Sequence, residues 1–154
     1  MSMIRKATAN DIPDMGRLWA GLVLEENPGA HPDVVRWCEI QKDLFKLKNY
    51  YAYVTEEDGK VVGFNNGLVL TDLETGDTYV DGGNFYVLPE YRKGSSGMKL
   101  HRNSLKVAME VKAKYLRRKV SVNNKRMMDR LTNSLGKTHF IKEYIVDEMI
   151  GHRA

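Results

Sequence analysis

Residues 85–98 run Phe85-Tyr86-Val87-Leu88-Pro89-Glu90-Tyr91-Arg92-Lys93-Gly94-Ser95-Ser96-Gly97-Met98. An apolar and aromatic segment typical of a strand stops at a proline, and a basic, glycine-rich turn leads into a long helical pattern. The first N–H groups of such a helix lack intrahelical partners and carry the positive end of its dipole. Because small residues let an anion approach the backbone, the segment predicts a phosphate site. The alternative is an ordinary strand-to-helix connection whose helix begins at a serine cap.

The hydrophobic pattern on both sides of this segment predicts alternating strands and helices. Asn10 or Asp11 is expected to cap the first helix, and Glu57-Asp58-Gly59 is the clearest hairpin turn. The predicted order is βααβββαβαβ, which indicates one α/β domain over residues 1–154 with a mixed sheet. The expected ranges are 4–7, 50–55, 60–70, 78–88, 118–122 and 139–149 for the strands, and 96–115 and 124–135 for the last two helices.

Composition and charge limit the class of protein. The chain has 154 residues and a net charge of +4, without an apolar run near the roughly 20 residues that a membrane helix needs. Its first residues predict no secretory signal, and Cys38, the only cysteine, excludes an intrachain disulfide. We therefore expect a cytoplasmic protein with no membrane partner. Basic side chains concentrate between residues 92 and 130, which indicates that this half of the chain meets an anion.

The pattern Val87-x-Pro89-x-Tyr91-Arg92-x-x-Ser95-x-Gly97 resembles the acyl-CoA-binding motif of the GNAT superfamily of N-acetyltransferases, Val-x-Pro-x-Tyr-Arg/Gln-x-x-Gly-x-Gly/Ala. The order of elements also matches the family, and Leu135-Gly136 matches the first two residues of its Leu-Gly-Phe before the last strand. The resemblance implies a GNAT-like fold, with a mixed, mostly antiparallel central sheet flanked by helices. Ser95 departs from the motif, although Gly94 is adjacent.

The resemblance implies acetyl-CoA as co-substrate and assigns its binding residues. Tyr86 and Val87 would hydrogen-bond the pantetheine arm as if it were another strand. Asn123 or Asn124 could donate to the arm from the other wall, and simple helix capping is the alternative for both. The pyrophosphate would be held through backbone N–H groups of the turn formed by Arg92, Lys93, Gly94, Ser95, Ser96 and Gly97.

The resemblance also implies direct attack of a neutral amine on the thioester, which requires a base. Asp81 is the candidate, because family members that acetylate proteins place a glutamate six residues before the valine that corresponds to Val87. The alternative is a solvated aspartate at a strand edge. The family's tyrosine acid has no counterpart at Leu131 or Thr132, and Tyr144 is the candidate replacement, with a role as a core aromatic the alternative.

Other functions receive less support. The basic half of the chain would suit a nucleic-acid-binding module, but the sequence offers no aromatic stacking platform, which disfavours such a partner. An inactive relative that only binds acyl-CoA is a further alternative, since the usual acid is missing. Glu25, Glu26 and Asp33, in the loop between the first two helices, suggest a cationic amine acceptor, and the family allows a homodimer. The histidines have no ligand-like spacing, so no metal is expected: His31, His101, His139 and His152.

Overall fold

The computed structural model describes residues 2–119. These residues belong to a unit that ends at Ser121. The predicted residues Asn123, Asn124 and Tyr144 lie outside the described range, as do the helix at 124–135 and the strand at 139–149. The single domain over residues 1–154 therefore stays a prediction. Within residues 2–119, no helix is long and apolar enough to cross a membrane.

The described elements form an α/β arrangement around one sheet. The strands are β1 (Met3–Lys6), β2 (Tyr50–Glu57), β3 (Lys60–Thr71), β4 (Thr78–Asp81), β5 (Phe85–Val87) and β6 (Tyr115–Arg117). The helices are α1 (Ile12–Glu26), α2 (Val34–Leu44) and α3 (Ser96–Glu110), with short 3-10 turns at Ala9–Asp11 and Pro89–Tyr91. The sheet order is β1-β2-β3-β4-β6, and β5 pairs with β3. Only the β4–β6 pair is parallel among these strands, so the predicted mixed, mostly antiparallel sheet is confirmed.

Asp11 is the N-cap residue of α1, one of the two predicted candidates, but its side chain makes no cap hydrogen bond to this helix. Its Oδ2 accepts the N–H of Thr8 at 2.8 Å, and both carboxylate oxygens accept the guanidinium of Arg5 at 2.8 Å. Hydrogen bonding from Arg5 also lowers the pKa of Asp11. The chain therefore turns at Thr8 into a 3-10 turn, and α1 follows from Ile12.

The strand predicted at 78–88 is two strands. The first part of β3 pairs with β5 from Gly63↔Val87 to Asn65↔Phe85, and its second part pairs with β4 from Leu68↔Asp81 to Thr71↔Thr78. Gly83 lies between β4 and β5 with φ +54°, and a Cβ there would meet the carbonyl oxygen of Asn66 at 2.2 Å. Only glycine fits this position without strain, and the strand is interrupted here between β4 and β5.

Two asparagines of β3 hold the break. Asn65 Nδ2 donates to the carbonyl oxygens of Gly82 at 2.9 Å and Asn84 at 2.8 Å, and Asn66 Oδ1 accepts the N–H of Asn84 at 2.9 Å. Asn65 Oδ1 also accepts the hydroxyl of Ser104 on α3 at 2.6 Å. Side chains thus satisfy main-chain groups that a continuous strand would have paired with β3.

The two faces of the sheet carry separate apolar clusters. On the α1 side, buried Met15, Leu18 and Trp37 pack against Val54 and Phe64. The cluster on the α3 side consists of Tyr51, Val80, Val107 and Ala108, with Leu116 packed against it.

The end of α3 comes earlier than expected. Lys112 adopts φ +57°, and the N–H of Ala113 donates to the carbonyl of Ala108 at 2.9 Å, which closes the helix after Glu110. This turn lets Tyr115–Arg117 pair with Tyr79–Asp81, so β6 begins three residues before the predicted strand at 118–122.

Candidate active site

The N-terminus of α3 is not capped by its own serine. The Oγ of Ser95 lies 3.1 Å from the Oγ of Ser2, and Ser95 makes no side-chain cap bond. The first helical bond runs from Lys99 N–H to the Ser95 carbonyl at 2.9 Å. The N–H groups of residues 96–98 therefore have no intrahelical acceptor, and Ser95, although it is the N-cap residue, does not satisfy them with its side chain. These donors, together with the helix dipole, can bind an anion.

The side chain of Ser96 anchors the helix instead of facing a ligand. Its buried Oγ lies 3.2 Å from Thr55 Oγ1 and donates to Glu57 Oε2 at 3.2 Å. Gly97, in contrast, is not packed closely against the protein, since the nearest atom to an added Cβ would be Val87 Cγ2 at 4.0 Å. The first turn of α3 is thus fixed to β2 through Ser96 and leaves open space at Gly97.

Arg92 turns its side chain back onto the protein. Its Nε donates to the Val87 carbonyl at 2.8 Å, and its two terminal nitrogens donate to Glu25 of α1 at 2.7 and 2.6 Å. The guanidinium lies 5.2 Å from the ring centroid of Tyr86, and its hydrogen bonds lower the pKa of Glu25. The Arg92 side chain therefore positions the turn. The main-chain N–H of Arg92 donates to the Pro89 carbonyl at 3.3 Å, and the N–H of Gly94 donates to the Tyr91 carbonyl at 3.4 Å, so neither main-chain donor is directed at a phosphate. Lys93 and Gly94 are exposed on the same turn.

The outer edge of β5 offers main-chain donors. Asn66 N–H donates to the Asn84 carbonyl at 3.1 Å and Leu88 N–H to the Val62 carbonyl at 2.8 Å, so residues 84, 86 and 88 bond β3. The N–H groups of Phe85 and Val87 point the other way, where no strand pairs with β5 in the described part of the chain. The prediction for Tyr86 is therefore corrected, because its main-chain groups face β3. The outward-facing N–H groups of β5 are those of Phe85 and Val87.

Asp81 ends β4 next to this open edge. Its Oδ1 accepts the N–H of Gly83 at 3.1 Å, and within residues 2–119 its other oxygen has no hydrogen-bond partner. The carboxylate is half-buried. One oxygen fixes its orientation and the other remains available, which suits a base and also a solvated strand residue.

Beside Asp81 lies an aromatic and cationic cluster that the sequence did not reveal. The rings of Tyr79 and Tyr115 stack at 5.0 Å between centroids, with 15° between their planes. The guanidinium of Arg117 lies 4.7 Å and 5.4 Å from the two ring centroids and donates to the Tyr115 hydroxyl at 3.2 Å. That hydroxyl bonds Asp72, which raises the pKa of Tyr115 to about 12. The cluster forms only through the parallel β4–β6 pairing, and its register is not readable from sequence.

On the opposite face of the sheet, Arg118 lies beside β5. Its guanidinium is 4.9 Å from the Phe85 ring centroid, Nη2 lies 3.3 Å from His101 Nδ1, and burial lowers its pKa. The buried hydroxyl of Tyr51 has no hydrogen-bond partner among the described residues, and burial raises its pKa to about 12. No group of three or more His, Cys, Asp or Glu side chains in residues 2–119 could hold a metal ion.

Comparisons with known proteins complete the description. A model of the acetyltransferase (GNAT) family matches residues 17–136. An aminoglycoside acetyltransferase from an uncultured soil metagenomic sample, solved with trehalose, has a TM-score of 0.70 at 18% identity, over 96% of this chain and 97% of its own. AAC(6')-Iy, solved with the bisubstrate analogue CoA-S-monomethyl-acetylneamine, has a TM-score of 0.73 at 17% identity, over 97% and 99%. An acetyltransferase of Trypanosoma brucei has a TM-score of 0.69 at 14% identity, over 96% and 100%. At these identities the likeness to solved structures is one of fold, and no curated protein matches the sequence.

Proposed function

The chain belongs to the GNAT family of acetyltransferases, and we propose that it transfers an acetyl group from acetyl-CoA to a primary amine by direct attack. One observation supports this most: the open edge of β5 and the uncapped N-terminus of α3 follow each other directly along the chain. The first offers N–H groups to a polyamide chain, and the second offers them to a diphosphate. In coenzyme A the pantetheine arm is joined directly to the diphosphate, which carries the adenosine 3'-phosphate at its other end.

The described residues fit the co-substrate. The N–H groups of Phe85 and Val87 would bond the pantetheine arm, and the first-turn N–H groups of α3 would bond the pyrophosphate. Gly97 leaves room for the phosphates, because an added Cβ meets nothing nearer than 4.0 Å. Lys93 is exposed on the same turn and would add a positive charge nearby.

The chemistry needs few further groups. An unprotonated amine forms a bond to the thioester carbon, the carbon–sulfur bond breaks, and coenzyme A leaves as thiolate. An N–H group of the β5 edge would stabilise the oxyanion that develops. Asp81, directly or through water, would accept the proton that the amine loses. Tyr144 remains the proposed proton donor to the thiolate, and Asn123 or Asn124 the proposed donors from the other wall.

The acceptor is less constrained by the acidic residues of α1 and α2 than the sequence suggested. Glu25 is held by Arg92, and Asp33 caps α2 by accepting the N–H of Arg36 at 3.0 Å. Both carboxylates therefore already have cationic or N–H partners. The cytoplasmic location and a homodimer remain predictions.

The test measures thiol release from acetyl-CoA with a panel of primary amines. Turnover with at least one amine, together with a rise in melting temperature on adding coenzyme A, is the expected result. A thermal shift without turnover for any amine would favour the inactive acyl-CoA-binding relative. No shift with coenzyme A, combined with salt-sensitive binding of DNA or RNA, would favour the nucleic-acid-binding module.

A further inference from the structure

Asp81 and Arg117 lie side by side on one face of the sheet. They are register partners in the parallel β4–β6 pair, so their Cα atoms are roughly 4.8 Å apart. The neighbouring residues Val80 and Leu116 pack on the α3 side. Because side chains alternate along a strand, Asp81 and Arg117 both project from the opposite face.

These opposite charges do not pair with each other. No salt bridge joins them in the described part of the chain, and each is held by another group. Asp81 accepts the N–H of Gly83, whereas Arg117 lies against the stacked rings of Tyr79 and Tyr115. Because the Asp81 carboxylate and the Arg117 guanidinium do not pair with each other, both can bind a ligand.

Within residues 2–119, most donors of the Arg117 guanidinium have no hydrogen-bond acceptor. Of the five N–H groups that an arginine offers, one donates to the Tyr115 hydroxyl. The Tyr115 hydroxyl in turn donates to Asp72, so this carboxylate is linked to Arg117 through the hydroxyl. The two rings hold the planar group at 4.7 and 5.4 Å from their centroids, so its orientation is fixed before a ligand arrives. A fixed guanidinium with unused donors suits a carboxylate, which it can bind through two parallel bonds.

We infer that the acceptor is a small amine that carries a carboxylate close to its amino group, with the amine at Asp81 and the carboxylate at Arg117. This inference rests on the proposed function, since it places the amine beside the proposed base. The amino and carboxylate groups of an α-amino acid are two bonds apart, which matches side chains on adjacent strands. Arg117 would repel a second ammonium group, so a polyamine fits this face poorly.

The test compares free α-amino acids with the corresponding α-amino amides, and both with a diamine, as acceptors of the acetyl group. The acids and amides hardly differ in shape, but the carboxylate adds a charge and also raises the pKa of the neighbouring amine. Rates are therefore compared per concentration of neutral amine. We expect kcat/KM to be at least about tenfold higher for acids than for amides, because a charge-assisted bidentate contact is lost in the amides. Arg117→Met should raise KM for the acids by about tenfold to hundredfold and that for the amides by much less, because an amide can accept only a single, uncharged bond from the guanidinium. Arg117→Lys should restore part of the loss.

Arg102→Met is the matched control, because Arg102 is an exposed arginine on α3 at the other face of the sheet. A coenzyme A thermal shift equal to that of the unmodified chain shows that Arg117→Met is folded. Equal or better turnover of amides or diamines, or an equal effect of Arg117→Met on acids and amides, overturns the inference and leaves the proposed function intact. The absence of turnover with every amine overturns both.

Discussion

Strand β3 has two partners on the same side, and they differ in what they leave open. β5 keeps its outer edge unpaired within residues 2–119, so this region offers main-chain N–H groups. β4 is covered by β6, so its main chain is used and it offers the side chains of Asp81, Tyr79 and, across the pair, Arg117. Main-chain donors are the same in every sequence that adopts the fold, whereas side chains are particular to one chain. The first region therefore suits a co-substrate shared by a family, and the second an acceptor specific to this protein.

The largest expected effect lies in the β5 and α3 region. Gly97→Val places methyl groups where the pyrophosphate would bind, and we expect at least a hundredfold loss of coenzyme A affinity, roughly 3 kcal/mol. The thermal shift with coenzyme A measures it. The variant should fold, because the nearest neighbour of an added Cβ is 4.0 Å away.

Gly29→Val is the control for this change, since Gly29 lies in the exposed loop after α1 without a positive φ. Its thermal shift should equal that of the unmodified chain. Unaltered binding of acetyl-CoA by Gly97→Val would contradict the assignment of the main-chain region.

The next effect belongs to the β4 and β6 region. Asp81→Asn keeps the size of the side chain and removes the basic oxygen, so kcat should fall by about a hundredfold while coenzyme A affinity is retained. Higher pH should partly rescue the variant, because more of the amine is then already neutral. Steady-state kinetics at several pH values measure both effects.

Asp58→Asn makes the same substitution at the hairpin turn, where φ is +54° and asparagine is well tolerated. It should change neither constant. If Asp81→Asn raises KM and leaves kcat unaltered, Asp81 binds the acceptor and is not the base. If neither constant changes, Asp81 is a solvated strand residue.

A smaller effect concerns the break that separates the two regions. Gly83→Ala and Gly76→Ala both place a side chain at positive φ, +54° and +78°, but only the first meets a neighbour, the Asn66 carbonyl at 2.2 Å. Gly76→Ala should lower the free energy of unfolding by about 1 kcal/mol, and Gly83→Ala by at least about 1 kcal/mol more. Denaturant unfolding measures the difference. Equal losses would show that the contact at Asn66 is relieved easily.

The smallest effect is expected at the ion pair between Glu25 and Arg92. Both side chains are partly exposed, so Glu25→Gln should lower the free energy of unfolding by at most about 1 kcal/mol at neutral pH. The pKa of Glu25 is lowered from its ordinary value of 4.5, so the pair stabilises the fold above that value and the benefit is lost as pH falls through the lowered pKa. Unfolding curves of variant and unmodified chain should therefore converge in acid. A constant difference at all pH values would contradict this account.

Sequence alone predicted the turn after β5 and the start of α3 at Ser96, whereas it did not reveal the cluster around Arg117. The turn after β5 is encoded within a dozen consecutive residues, and the Asp58-Gly59 hairpin, with both φ values positive, is equally local. The break at Gly83 depends on Asn65 and Asn66, whose hydrogen bonds reach residues 82–84. Two adjacent asparagines in an otherwise apolar strand indicate that polar groups must be satisfied there. They do not indicate which main-chain groups the asparagine side chains bond.

Arg117 illustrates the limit more sharply. Its position beside Asp81 depends on the parallel β4–β6 register, and that register depends on where α3 ends. Lys112 adopts a positive φ, although nothing in its side chain requires one. A shift of one residue in β6 would turn Arg117 to the other face and Arg118 to this one.

The open edge of β5 has a consequence for the chain's solubility. An unpaired strand edge is a template on which another chain can add a strand and begin to aggregate. Here the template is three residues long, between Gly83 with its positive φ and Pro89 with no N–H to give. Its outward carbonyl at Val87 is already taken by Arg92. A strand from another chain could therefore form only a few hydrogen bonds with this edge. A bound pantetheine arm would occupy the same main-chain groups, so coenzyme A would also reduce aggregation through this edge.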